Sequence, residues 1–164
     1  MRSLNENMLL SRMPLEVNYN KGIINQLKKI DWNKIDILDE EVEGSIAYIN
    51  FNVPIKGFNN KSISFKLEGT YSEYLLQPHI DLAQSIQRIG LGYKLYTKIV
   101  YEFGNLYSRS GSRHNKMIKA LYEKVSNDKN IELHTMNNNY LLLLKSNPDY
   151  NNIINDFYLI NKAA

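Results

Sequence analysis

Apolar and polar residues alternate through the middle of the chain, and then the period changes. Ile49, Phe51 and Val53 alternate with Asn50 and Asn52, which predicts a strand with one buried face. Pro54 ends it, and Gly57, Asn59 and Asn60 mark a turn. Ile63, Phe65 and Leu67 alternate with Ser64, Lys66 and Glu68 in a second strand, and Gly69 to Ser72 reads as the next turn. Tyr74 to Ala83 reads as a third strand that carries Pro78, and a proline inside a strand points to an edge or a bulge. After Gly92 the spacing becomes helical, with Leu95, Tyr96, Ile99, Val100 and Phe103 recurring on one face. Gly104 can take the left-handed conformation that ends a helix. Leu106 and Tyr107 form a short strand. Ser112 is the expected N-cap of a second helix, with Met117, Ile118, Leu121, Tyr122 and Val125 on one face. Ile131, Leu133 and Thr135 alternate again, Asn137 to Asn139 make a turn, and Tyr140 to Leu144 returns as a strand.

The two ends are less regular. Residues 1–20 have no sustained period. Ile23, Ile24, Leu27 and Ile30 share one face of a short helix after Gly22. Trp32 to Leu38 fits either a strand or the tail of that helix. After Pro148, the residues Ile153, Ile154, Phe157 and Leu159 fit a short helix or a further strand. Strands first, then helix, strand, helix and hairpin predict an α+β fold: a mixed, mostly antiparallel sheet flanked by helices.

Composition narrows the classes. At 164 residues, 43% hydrophobic and 23% charged, the chain is one ordinary globular domain and neither a disordered chain nor a rod. No stretch approaches the roughly 18 apolar residues of a membrane helix. Asn5, Glu6 and Asn7 interrupt any basic-then-apolar leader, so the expectation is a cytoplasmic protein with no membrane partner. The chain has no cysteine, which removes disulfides, thiolate metal sites and a cysteine nucleophile. His114 and His134 have no partner at metal-ligand spacing, so no metal site is expected. A net charge of +3 is mild for a protein that coats nucleic acid. Only Arg109, Arg113, His114 and Lys116 form a modest basic group.

The segment Gln87-Arg88-Ile89-Gly90-Leu91-Gly92 lies between a predicted strand and a predicted helix. Glycines there let the backbone bend sharply and approach a ligand closely. The first amides of the helix lack intrahelical acceptors and the helix dipole adds about half a positive charge, a combination that binds phosphate. No Gly-Lys-Ser/Thr follows, so the pattern is not a nucleotide P-loop. It lacks the third glycine of a dinucleotide fingerprint and follows a meander rather than opening a βαβ unit.

Gln-x-x-Gly-x-Gly in this position resembles the acyl-coenzyme-A pyrophosphate loop of GNAT-type N-acetyltransferases, with Gln87, Gly90 and Gly92 at its fixed positions. Ile80 and Leu82 fall where that family closes its fourth strand, and Pro78 stands near the family's bulge. Asn115 and Tyr122 have the seven-residue separation of the family's Asn-x-x-Ala-x-x-x-Tyr motif. Two departures are visible. Ile118 replaces the alanine, and Val125-Ser126 stands near the place of the usual Gly-Phe. The resemblance covers residues 44–145; residues 1–43 form an atypical N-terminal segment and residues 146–164 a C-terminal tail.

The resemblance implies direct transfer of an acetyl group from acetyl-coenzyme A to a primary amine on a protein, a small molecule or an aminoacyl group. It implies that the amides of Ile89, Gly90, Leu91, Gly92 and Tyr93 face the pyrophosphate, with added charge from Arg88 and Lys94. Backbone groups at Ile80 and Leu82 would pair with the pantetheine arm. Asn115 would contact the coenzyme and Tyr122 would be the general acid. A phenol of pKa about 10 keeps its proton at neutral pH and can donate it. The base would be His79, Glu73 or Asp81, or water alone. Possible partners are tRNA, through an aminoacyl acceptor, and a second copy of the chain. Other readings of the same residues stay open. Tyr122 shares a face with Ile118 and Val125 and could be core; Asn115 could be a first-turn residue. The domain could be a non-catalytic binding module, or it could bind nucleic acid through Arg88, Arg109, Arg113 and Lys116.

Overall fold

The structure is a computed structural model, and it describes residues 21–35, 37–43, 46–54, 62–72, 74–80, 89–109 and 115–162. These contain four α-helices and seven strands in a mixed α+β arrangement. The chain divides into two compact units, Met1–Glu68 with His79–Leu91 and Gly69–Pro78 with Gly92–Ala164. No helix among the described residues is long and apolar enough to cross a membrane.

The first described element of the first unit is helix α1 (Lys21–Lys29), which buries Leu27 and half-buries Ile23 and Ile24. A 3-10 turn at Trp32–Lys34 follows and buries Trp32. The stretch that fitted either strand or helix tail divides here, because Lys34 and Ile35 bond back to Asp31 and Trp32 and the chain then extends into strand β1 (Ile37–Glu43). β1 pairs antiparallel with β2 (Ile46–Pro54) from Ile37↔Phe51 to Glu43↔Ile46, with an irregularity between Ile37 and Asp39. Asp39, Glu40 and Glu41 hide this strand from a reading based on alternation. β1 ends its sheet, and charges on an edge strand discourage pairing with other chains.

The sheet continues in the order β1-β2-β3-β4, with β3 at Ser62–Ser72 and β4 at Leu75–Ile80. Gly69 to Ser72, expected to turn, belongs to β3. Thr70 and Tyr71 favour the extended conformation and outweigh the single glycine. Pro78 lies inside β4, the other edge of this sheet, where a missing N–H breaks no ladder on the far side.

The second unit has its own antiparallel sheet in the order β5-β7-β6, made of Asn105–Ser108, Asn139–Leu144 and Ile131–Met136. β7 is buried on both faces. Leu141 and Leu143 pack with Leu75, Tyr107, Ile153 and Phe157 against helix α4 (Tyr150–Lys162). Tyr140 points the other way and meets Tyr122 of helix α3 (Asn115–Val125) edge to face. The tail after Pro148 is therefore a helix: it supplies Ile153 and Phe157 to this core, one turn apart. Asn137 and Asn138 have φ of 52° and 62°, the pair of left-handed residues that a two-residue hairpin needs. Asn161 ties this turn down. Asn139 donates to its side-chain oxygen and Asn137 to its carbonyl at 2.6 Å. Helix α2 (Leu91–Phe103) buries Leu95, Ile99 and Val100 and stops at Gly104, whose φ is 90° and whose N–H bonds to the Val100 carbonyl at 2.8 Å.

Candidate active site

β4 and β5 belong to different sheets, and among the described residues no main-chain ladder joins them. A side chain joins them instead. Asn105, the first residue of β5, is buried. Its Oδ1 accepts the Leu76 N–H at 3.0 Å, and its Nδ2 donates to the Tyr74 carbonyl at 3.0 Å. The amide thus takes the part that a peptide group takes in a ladder. Alternate residues of a strand present their main-chain groups to the same side. Pro78 is next in the series after Tyr74 and Leu76, and it has no N–H to offer. A ladder toward β5 cannot be built through it.

Ile89 and Gly90 make a bend before α2, and Gly90 has φ of 85°, which a side chain would strain. Gly92 is in the first turn of the helix with an ordinary φ. A Cβ added to Gly90 or Gly92 would meet no atom of the described residues within 4 Å. Packing among the described residues therefore does not demand glycine at 92, although glycine in a helix costs about 1 kcal/mol relative to alanine. Open space over a bare main chain at a helix start suits an anionic ligand approaching its amides. Leu91 turns its side chain into the core, so only its amide is available. Tyr93 carries the Lys124 ammonium over its ring at 4.6 Å from the centroid.

Tyr122 lies on α3 with no exposed surface. Its ring meets Tyr96 of α2 edge-on at 5.9 Å and Tyr140 of β7 at 6.3 Å. Its hydroxyl is 2.9 Å from Ser108 Oγ, where either atom can be the donor. Burial, with a smaller push from Tyr96, holds the phenol well above its ordinary range, and the Ser108 bond acts in the opposite sense. Burial also pushes the Tyr96 phenol up to about 12. At neutral pH both are protonated donors. Ser108 is half-buried and closes β5.

Three of the other expected site residues fall within described elements. His79 and Ile80 are the last two residues of β4, and Asn115 opens α3. Glu73, Asp81, Leu82, Gln87 and Arg88 lie outside the described residues, as do Ser112, Arg113 and His114. Arg109 and Lys116 are exposed. No cluster of three or more His, Asp or Glu that could hold a metal ion occurs among the described residues. Asn105 and the Ser108 partnership have no motif to announce them. Ser108 gives one faint signal, as a polar residue ending a short apolar run. No protein-family model matches the chain, and no curated protein matches its sequence.

Proposed function

We propose that the chain is an acetyl-coenzyme-A-dependent N-acetyltransferase of the GNAT type, moving an acetyl group directly from the thioester to a primary amine. The observation that carries this reading is the interrupted sheet between β4 and β5, held by the Asn105 side chain and kept from closing by Pro78. A strand edge without a ladder partner offers main-chain groups to an extended ligand bearing amides, and the pantetheine arm is one. In this reading it runs along β4 by Ile80 and Leu82. The amides of Ile89 to Tyr93 hold the pyrophosphate, and the open space over Gly90 and Gly92 supports that role.

Bound there, the coenzyme supplies an activated acetyl group, and the chain's own task is to orient it and move protons. The Ile80 N–H, on the same side of β4 as the groups of Leu76 and Pro78, polarises the carbonyl where negative charge develops. Tyr122 keeps a proton available for the departing sulfur, and Asn115 contacts the coenzyme. The amine gives up its proton to His79, Glu73 or Asp81, or to water. A second reading, a non-catalytic coenzyme-binding module, is favoured by the complete burial of Tyr122.

Calorimetric titration of the full chain with acetyl-coenzyme A tests the proposal, and saturable heat is the expected result. No heat and no thermal shift at roughly 1 mM ligand, an affinity too weak for such a site, overturns it. Binding without thiol release across a panel of primary amines selects the module.

A further inference from the structure

A phenol with no exposed surface cannot touch a sulfur atom outside the core, yet the hydroxyl of a half-buried serine stands 2.9 Å from it. We propose that Ser108 Oγ is the group that hands the proton to the leaving sulfur, with Tyr122 behind it as the buried partner that orients and replenishes it. This rests on the acetyl-transfer reading above.

The packing fixes Tyr122 where it is. Its ring has Tyr96 and Tyr140 against it, one from α2 and one from β7, so the hydroxyl cannot swing outward without breaking both contacts. Ser108 occupies the last position of β5, beyond the Asn105 tie to β4. Of the two residues, Ser108 is the one with exposed surface. An aliphatic hydroxyl is a weaker acid than a phenol of pKa about 10, so serine alone is a poor donor. Backed by a phenol it becomes a relay. Burial disfavours a phenolate at Tyr122, so the proton it passes to Ser108 has to be returned before the turnover ends.

The balance closes. The amine nitrogen forms a bond to the thioester carbon, the C–S bond breaks, and its electron pair stays on sulfur. Ser108 gives its proton to sulfur as it receives the Tyr122 proton. The proton shed by the acceptor nitrogen, taken first by His79, Glu73, Asp81 or water, returns through Ser108 to Tyr122, and the pair is restored.

Two measurements on the full chain test the relay. In the ligand-free protein labelled with [13Cζ]tyrosine, the Tyr122 resonance is identified by its loss in Tyr122→Phe. It is expected to shift in Ser108→Ala and to return in Ser108→Thr; an unmoved resonance overturns the pairing. With acetyl-coenzyme A and a panel of primary amines, Ser108→Ala is expected to slow thiol release about 100-fold, the scale of general-acid catalysis, with coenzyme affinity held within about twofold. Ser108→Thr is expected to restore most of the rate. The double variant Ser108→Ala/Tyr122→Phe is expected to be no slower than Tyr122→Phe, because the two hydroxyls act as one unit. Thiol release at the wild-type rate in Ser108→Ala, with Tyr122→Phe slowed, overturns the relay and leaves the acetyl-transfer reading standing. Failure of the wild-type chain to bind acetyl-coenzyme A overturns both.

Discussion

The side-chain oxygen of Asn105 accepts the main-chain N–H of Leu76 at 3.0 Å, joining residues 29 apart in sequence where a main-chain ladder would otherwise stand. Its amide nitrogen is spent on Tyr74, so truncation to alanine leaves one donor and one acceptor without partners beside a buried side chain. An orphaned buried group costs about 1–3 kcal/mol. Asn105→Ala is therefore expected to lose at least about 2 kcal/mol in urea denaturation. Asn105→Asp keeps the acceptor for Leu76 but sets a carboxylate against the Tyr74 carbonyl, and it is expected to lose stability as well. A midpoint unchanged in Asn105→Ala would show that the two strands stay fixed without the amide.

The three glycines around α2 are expected to respond differently to alanine. Gly104 has φ of 90°, and a Cβ there would collide with the Asn147 side-chain amide, whose oxygen accepts the Asp149 N–H. Left-handed strain alone costs about 1–2 kcal/mol, so Gly104→Ala is expected to lose about 2 kcal/mol or more. Gly90→Ala carries the strain of its φ of 85° without a clash, and its loss is expected to be about 1 kcal/mol. Gly92→Ala meets open space at an ordinary φ, and helix propensity favours it by up to about 1 kcal/mol. The same methyl would stand over the amides assigned to the pyrophosphate. Denaturation and calorimetry together should find Gly92→Ala more stable and weaker in acetyl-coenzyme A binding. A variant that is more stable and binds as before would remove the loop from the coenzyme site.

Much of this architecture can be read from residue pattern. The strand around Ile49 to Val53, the helix from Leu95 to Phe103, its stop at Gly104 and the hairpin at Asn137 and Asn138 are local consequences of side-chain period and backbone freedom. β1 escapes such a reading because an edge strand can carry Asp39, Glu40 and Glu41 and still pair through its main chain. β3 runs through Gly69 because Thr70 and Tyr71 beside it favour the extended conformation. The two residues that most change the view of the site, Asn105 and Ser108, are legible only in three dimensions. Their partners, Leu76 and Tyr122, are 29 and 14 residues away, and no periodicity encodes a pairing between a side chain and a distant strand.

Tyr107 offers a test of what an unpaired hydroxyl costs. The residue is 1% exposed, its ring meets Phe157 edge-on at 5.8 Å, and its oxygen has no hydrogen-bond partner among the described residues. Phenylalanine keeps the ring and removes the unsatisfied group. Tyr107→Phe is expected to be neutral or to gain about 1 kcal/mol, whereas Tyr122→Phe, which removes a made hydrogen bond, is expected to lose about 1 kcal/mol. Equal losses in thermal or urea unfolding would mean that the Tyr107 oxygen does have a partner in solution.

The carboxylate of Glu132 on β6 holds two neighbours, Tyr150 and His134, and acid should release them. Its Oε2 accepts the Tyr150 hydroxyl at 2.5 Å and lies 3.0 Å from His134 Nε2, while His134 Nδ1 is 3.3 Å from the Tyr158 hydroxyl. The Tyr150 bond lowers the Glu132 pKa below its ordinary 4.5; burial, the next largest effect, opposes it, and the bond and charge of His134 and the charge of Lys145 add smaller lowering effects. A carboxyl depressed in the folded state binds fewer protons there than in the unfolded chain, so stability rises with pH across the gap between the two values. The contribution is complete above the unfolded value and is lost as pH falls through the folded one. Glu132→Gln should therefore flatten the acid limb of the urea midpoint below about pH 5, where carboxylates titrate. Tyr150→Phe removes the largest cause of the depression and should shift the same limb toward higher pH. Parallel acid limbs in the wild type and Glu132→Gln would locate the acid sensitivity in other carboxylates.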